Sequence, residues 1–352
     1  MPMVTIRDVA KQAGVSIKTV SRVVNNQSEV SSNTREKVQQ VISELDYRPN
    51  SNAQSLVSGR TKTIGVVIPY DTKYVFSHPF FAEVIRGIAE VLSVNGYDLL
   101  LNLAHGKEPY SKLYSQRKVD GLILMSIPMS DPNIKGLDKS GAPWVCTCRL
   151  SDSGESNINF VDADFEGGVI LAVDHLISLG HRRIALLTGT EDLVSVKLRK
   201  QGYLKALNKN KIPIIGGYVL AGDFTSESGY ALASQIMQHP SPPSALVCGD
   251  DMMAFGAIKA VTELGYSVPE DVSIIGFDDV SLSQFSTPQL TTIRQDTYQK
   301  GRFAAEILLN LIQDSDKGCN KQIIIDTSLI IRASTAPVQI YAESQRKEDD
   351  LS

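Results

Sequence analysis

From Ile64 onward the chain alternates short apolar runs with longer stretches of helical periodicity, and this rhythm narrows the possible folds more than any other feature. The runs are Ile64-Gly65-Val66-Val67-Ile68-Pro69, Tyr97-Asp98-Leu99-Leu100-Leu101, Gly121-Leu122-Ile123-Leu124-Met125 and Trp144-Val145-Cys146-Thr147. The second half repeats them as Arg183 to Thr188, Ala245 to Cys248 and Val272 to Phe277, with helical patterns such as Phe80 to Asn95 between runs. Strands apolar on both faces and separated by helices belong to parallel sheets covered on both sides. Two series of runs predict two such sheets, one per subdomain, within 352 residues, a length that suits roughly two to three domains.

Open parallel sheets bind ligands at the carboxyl ends of their strands. The residues there are Tyr70 to Phe81, Cys148-Arg149, Thr188 to Arg199, Gly222-Asp223-Phe224, Gly249-Asp250-Asp251 and Asp278-Asp279. Carboxylates and arginines hydrogen-bond vicinal hydroxyls in pairs, and aromatic rings stack on the apolar faces of sugars, so the set suits a small polyhydroxylated ligand. Enzyme signatures do not compete: the sequence holds no G-x-S-x-G, no G-x-x-x-x-G-K-[ST] and no H-E-x-x-H, and its five histidines lie apart. The pairs Asp250-Asp251 and Asp278-Asp279 suggest a glycosidase only until one notes that neighbours at a strand end point to different sides. A non-enzyme without cofactor or metal is expected. Cys146, Cys148, Cys248 and Cys319 are too few and too irregular for a disulfide framework or a zinc site, and Cys146 and Cys148 read as packing residues on one face of a strand.

Hydrophobic residues make up 42% of the chain and charged ones 21%, a globular profile. No window approaches the roughly 18 apolar residues of a membrane span. The start, MPMVTIRDVAKQAG, carries Asp8 and two basic residues where a secretory signal is apolar, so a cytoplasmic protein without membrane contact is expected. Charge is uneven. Residues 1 to 60 hold eight basic residues against five acidic ones, a balance of +3, which leaves −7 on the other 292 residues of a chain whose net charge is −4. A basic head on an acidic body suits a polyanionic partner, although the count alone fits chance variation equally well.

The head has its own pattern. Thr5-Ile6-Arg7-Asp8 is a capping box, Ile6, Val9, Ala10 and Ala13 follow at helical spacing, and Gly14 ends the helix. Ser16 caps a second helix with apolar Val20, Val23 and Val24, and Ser31 precedes a third that carries Val38, Val41, Ile42 and Leu45. Two helices joined by a short glycine turn form a helix-turn-helix unit over residues 1 to 48. The second helix turns Ile17, Lys18 and Arg22 outward, an arrangement that fits base edges in the major groove: the basic pair donates to guanine and Ile17 meets a thymine methyl. Thr5, Ser16, Thr19, Ser21, Asn25, Ser31 and Thr34 are short polar side chains suited to phosphate oxygens, although such residues near helix starts usually serve as caps.

The run Thr5 to Asn25, together with Thr34-Arg35-Glu36-Lys37-Val38 and Leu45-Asp46-Tyr47-Arg48-Pro49-Asn50, resembles the signature of the lactose-repressor/galactose-repressor (LacI/GalR) family, and the likeness extends from about residue 4 to about 336. It implies an all-α helix-turn-helix head on an α/β, periplasmic-binding-protein-like body of two parallel-sheet subdomains. Residues 49 to 60 then resemble the hinge helix, with Asn50, Ala53 and Leu56 at the minor groove and Leu56 as the apolar wedge that kinks the duplex. By the same resemblance Phe80, Phe81, Arg149, Ser195, Arg199, Phe224, Asp250, Asp278 and Gln295 hold the effector. Cys148 stands where sugar-binding relatives have Asp, and Asp250 where many have Asn. The implied bounds are 61 to 159 with 292 to 322 for one subdomain, 160 to 291 with 323 to 337 for the other, and a disordered tail over 338 to 352. Between Asn102 and Val119 the chain is shorter than the family pattern, which predicts a truncated helix. The implied protein is a homodimeric repressor of a pseudo-palindromic operator in double-stranded DNA, controlled by a small carbohydrate. A nucleobase sensor, a phosphoprotein-responsive regulator and a sugar-binding transport protein are the alternatives.

Overall fold

The computed structural model describes residues 4–24, 28–48, 59–103, 108–151, 158–313 and 321–338. They fall into two compact units, a head within the first 62 residues and a body that begins at Thr63. Asn25, Cys319, the tail from residue 339 and the expected hinge positions Asn50, Ala53 and Leu56 lie outside the described residues.

In the head, α1 spans Ile6–Ala13, α2 Ile17–Val24 and α3 Ser32–Glu44. The backbone N–H and the hydroxyl of Thr5 both donate to Asp8 Oδ2, at 2.9 and 2.7 Å, and fix the start of α1. Gly14 ends it at φ 64°, in the left-handed region where a side chain is strained. Ser16 Oγ accepts from the Thr19 N–H at 3.1 Å and Ser31 Oγ from the Thr34 N–H at 3.4 Å, so each starts the helix that follows. Val9, Ala13, Val20 and Val38 are fully buried where the three helices meet. So small a core has few apolar contacts to spare, and the caps contribute about 1 kcal/mol each.

The body runs β1 (Thr63–Ile68), α4 (Thr72–Ser77), α5 (Pro79–Val94), β2 (Asp98–Leu103), α6 (Ser111–Ser115), β3 (Gly121–Leu124), α7 (Leu137–Ser140), β4 (Trp144–Cys146) and β5 (Phe160–Ala163). It continues through α8 (Phe165–Ser178), β6 (Ile184–Thr188), α9 (Val194–Lys209), β7 (Val219–Ala221), α10 (Ser226–Ile236), β8 (Ala245–Cys248), α11 (Asp251–Glu263), β9 (Ser273–Asp278) and β10 (Thr291–Gln295). The last elements are α12 (Thr297–Ile312), β11 (Gln322–Ile325) and β12 (Thr327–Ile330). Two six-stranded sheets result, ordered β11-β5-β4-β3-β1-β2 and β12-β10-β9-β8-β6-β7. The residues of β3, β6, β8 and β9 are buried throughout, as strands covered on both faces must be.

Two expectations need correction. The sheets are not wholly parallel, because β12 pairs antiparallel with β10 at the edge of the second sheet. The chain also changes sheet later than expected. β5 pairs with β4 in the first sheet and β10 with β9 in the second, so the crossings follow Ala163, Gln295 and Ile325 rather than residues 159, 291 and 322. An apolar run looks the same whichever sheet it joins. Pairing partners decide, and they lie far away in sequence. Only α6, five residues long, lies between β2 and β3 among the described residues, in line with the expected truncation. No helix among the described residues is long and apolar enough to cross a membrane.

Candidate functional site

On the head, Ile17 is 46% exposed at the start of α2, Lys18 beside it is exposed, and Arg22 follows one turn on. Arg22 Nη2 lies 2.6 Å from Glu29 Oε2, so the guanidinium is paired in this structure. The hydroxyls of Ser16 and Thr19 lie 2.8 Å apart, and those of Ser31 and Thr34 2.9 Å apart. Thr5, Ser16 and Ser31 therefore serve as caps, and each hydroxyl retains acceptor capacity. Ser21 lies on the same short helix.

In the body all nine residues named above, Phe80, Phe81, Arg149, Ser195, Arg199, Phe224, Asp250, Asp278 and Gln295, line one cavity of about 70 Å³. That is room for roughly two to five water molecules. Both sheets contribute, as the carboxyl-end rule requires: Arg149 follows β4, Asp278 ends β9 and Gln295 ends β10. Helix starts supply others. His78 caps α5, receiving the Phe80 N–H on Nδ1 at 3.3 Å, and Asp250 caps α11, receiving the Met253 N–H at 2.7 Å.

Arg199 is 4% exposed and sits among three rings, its Cζ 4.3 Å from the centroid of Phe165, 4.4 Å from Phe277 and 5.6 Å from Phe224. Burial lowers its pKa against the opposing pull of Asp278, Asp250 and Asp162. Its Nε has no hydrogen-bond partner among the described residues. Two further buried atoms of this wall are also unpartnered there, Gln295 Oε1 and Thr147 Oγ1. Buried polar atoms are nearly always satisfied, so three orphans on residues that line one cavity mark where a polar ligand would bond.

Asp278 holds its proton more tightly than an ordinary aspartate. Burial foremost, then the charge of Asp250, raise its pKa to about 6, while Arg199, His78 and the Gln295 amide oppose the rise. Its backbone is at φ 111°, and Ser126 and Phe224 in the same cavity also have positive φ, at 52° and 65°. Non-glycine residues in such conformations persist only where their surroundings demand it, which is common at binding sites. Asp279 turns the other way, to Arg294 and Arg332 at 2.7 and 2.6 Å. The neighbouring Asp251 is wholly buried and serves structure: it accepts from the Val280 N–H and from the Ser283 and Thr292 hydroxyls.

His78, Asp162, Phe165 and Lys300 are among the cavity residues not singled out in the sequence. His78 lies inside the stretch Tyr70 to Phe81, but its partner Asp250 is 172 residues away, at 2.7 Å. Asp162, Phe165 and Lys300 lie within β5, α8 and α12, where an isolated residue carries no signal of its own. Ligand atoms of His78, Asp250 and Asp278 lie within 4.8 Å of one another, close enough to share a cation. Asp250 is already engaged by His78 and by the start of α11, and Arg199 brings a fixed positive charge to the same wall, so the trio is internally compensated.

Comparison with known proteins agrees with both units. The family model for bacterial regulatory proteins of the lacI family matches residues 5–50, and the model for a periplasmic binding protein-like domain matches residues 173–335. The HTH-type transcriptional repressor PurR of Haemophilus influenzae Rd is 37% identical over 346 residues, covering 96% of this chain and 100% of the relative. Among solved structures, the Lac repressor dimer bound to operator and the anti-inducer ONPF superposes with TM-score 0.84 at 32% identity, over 95% of this chain and 99% of that one. The transcriptional regulator CelR in complex with cellobiose gives TM-score 0.75 at 33% identity, over 94% and 99%. With a helix-turn-helix head and a periplasmic-binding-protein-like body, this chain belongs to the LacI family of bacterial regulatory proteins.

Proposed function

We propose that the protein is a transcriptional repressor, not an enzyme, whose grip on a pseudo-palindromic operator is controlled by a small carbohydrate bound in the body cavity. The observation that carries this reading is the cavity wall itself. Buried Arg199, Gln295 and Thr147 offer unpartnered polar atoms beside the carboxylates of Asp250 and Asp278, and Phe80, Phe81 and Phe224 stand around them. Hydroxyls need such donors and acceptors, and the apolar face of a sugar ring needs the phenyl rings. A CelR structure that contains cellobiose and shares this fold supports a sugar ligand.

On the head, Ile17, Lys18 and Arg22 read base edges, while Thr5, Ser16, Thr19, Ser21, Ser31 and Thr34 meet phosphates, joined by Asn25 outside the described residues. The protein acts as a homodimer in the cytoplasm, one head per half-site; the Lac repressor dimer on its operator supports that arrangement. Ligand in the cavity changes the angle between the two halves of the body and, through the segment that carries Asn50, Ala53 and Leu56, the fit of the heads to DNA. Coupling of this kind typically amounts to about 1 to 3 kcal/mol and is reciprocal.

A thermal-shift screen of the full chain against monosaccharides, disaccharides, sugar phosphates and purines tests the ligand class, because a ligand selective for the folded state raises the melting temperature by mass action. The expected result is a hit among the sugars that Arg199→Ala and Asp278→Ala each abolish, and that changes operator affinity in a DNA titration. A hit confined to purines would overturn the carbohydrate assignment and leave the repressor reading in place.

A further inference from the structure

Lys300 is 1% exposed and lines the cavity from α12, and its only ion pair among the described residues is with Asp162, 3.1 Å away on β5 and equally buried. Arg149 approaches the same carboxylate, its backbone N–H and its Nε both 3.1 Å from Asp162 Oδ2. A carboxylate offers about four lone-pair sites. All are taken, because Oδ1 receives Lys300 Nζ and the Ala163 N–H at 2.9 Å, and Oδ2 receives the two donors of Arg149. Lys300 therefore keeps two N–H groups without an acceptor among the described residues, and Arg149, after giving Nη2 to the Ala163 carbonyl at 3.0 Å, keeps others. Two cations share one saturated carboxylate; the lining as a whole balances three cations with three carboxylates, but at this end no second acid pairs directly with either cation among the described residues, and a buried charge whose counter-charge is distant is costly. The Phe165 and Phe80 rings, 5.1 and 5.8 Å from Lys300 Nζ, ease that cost but accept no conventional hydrogen bond.

We propose that the ligand carries an anionic oxygen group, a carboxylate or a phosphate, that docks on Lys300 and Arg149, with Asp162 as the residue that positions both. This inference rests on the carbohydrate reading of the cavity and narrows it to sugar acids and sugar phosphates. Arg199 and Asp278 on the other wall remain for hydroxyls, so the cavity is rich in cationic donors at one end and carries opposite charges side by side at the other.

Titration calorimetry of the full chain with hexuronates and hexose 6-phosphates, each paired with its parent hexose, tests the proposal. The acid or the phosphate is expected to bind about tenfold or more tightly than the parent, the usual advantage of hydrogen bonds to a charged group. Preference for one of the two tells a planar carboxylate from a tetrahedral phosphate. In Lys300→Met, which leaves Asp162 paired with Arg149, the ratio should fall towards one, and Arg149→Met, which leaves the Lys300 pair intact, provides the same reading independently. A wild-type protein that binds the parent hexose as tightly as its acid or phosphate overturns this inference while the carbohydrate reading stands. Binding of purines alone overturns both.

Discussion

His78 and Asp250 join the amino ends of two helices that belong to opposite halves of the body. The imidazole Nε2 lies 2.7 Å from the Asp250 carboxylate, His78 caps α5 and Asp250 caps α11, and both side chains are buried. Removing one partner strands the other, which costs about 1 to 3 kcal/mol for a buried polar group. His78→Ala and Asp250→Asn should each lower stability by that order, and the double variant by clearly less than the sum, a coupling readable in urea unfolding. Strictly additive losses would show that the contact holds nothing together. The pair also responds to pH. Burial lowers the pKa of His78, but the bond to Asp250 and the charges of Asp250 and Asp278 together raise it above 6.5. The ionic part of the latch is therefore fully present below pH 6.5 and is lost as pH rises through the higher folded value.

Asp278 weakens the ligand-free protein at neutral pH. Its pKa stands at 3.8 in the unfolded reference and about 6 in the fold, so ionising it costs more when folded. Below pH 3.8 both states hold the proton and nothing is lost. Between 4 and 6 the unfolded chain ionises first, so stability declines as pH rises, and above 6 the full penalty, roughly 3 kcal/mol, is in place. Asp278→Asn keeps an acceptor for the Gln295 amide and removes the charge. The variant should be more stable than the wild type by up to about 3 kcal/mol at pH 8 and by about half as much at pH 5. An equal gain at both values would refute the assignment of the penalty to this carboxyl.

Locality decided what could be read from the sequence alone. The head is built from signals a few residues long, such as Thr5 with Asp8, Gly14 and Ser31 with Thr34, and its three helices fall where those signals put them. Eight of the nine body residues named beforehand fall in the strand-end stretches, which are visible as the ends of apolar runs and which the fold gathers, while the family resemblance picked the positions within them and added Gln295. Lys300 and Asp162 were invisible for the opposite reason. A lysine within a helix normally faces water, and only the 138-residue loop closure that sets α12 against β5 makes it a buried cation. The sheet crossings were displaced on the same account, since the burial of Phe160 to Ala163 does not say which sheet those residues complete.

Arg22 is engaged by Glu29. The pair is close, at 2.6 Å, but the side chains are 33% and 64% exposed, and exposed pairs contribute about 0 to 1 kcal/mol. Releasing it by Glu29→Gln should tighten binding to DNA by up to about fivefold and leave the fold unchanged. Arg22→Ala should cost about 1 to 3 kcal/mol on the operator and relax discrimination at one base pair. Fluorescence anisotropy on operator and scrambled duplexes separates these effects. An equal loss on both would make Arg22 a phosphate contact.

Gly87 and Gly301 let α5 and α12 touch backbone to backbone. A Cβ built on Gly87 would lie 2.1 Å from the Tyr298 carbonyl oxygen, and one on Gly301 would lie 2.1 Å from that of Val84. Neither neighbour is the end of a flexible side chain, so an added methyl must push the helices apart, and overpacking of this kind costs about 1 to 3 kcal/mol or more. The displacement would reach the cavity, because α12 begins just after Gln295 and carries Lys300 on its first turn. Gly87→Ala should therefore lower the melting temperature and weaken ligand binding together, although Gly87 does not line the cavity. Gly216 supplies the control: its Cβ would meet nothing within 4 Å and its φ is not positive, so Gly216→Ala should be neutral or stabilising by up to about 1 kcal/mol. If Gly87→Ala melts with the wild type, the two helices are not in the tight contact described here, and the placement of Lys300 falls with it.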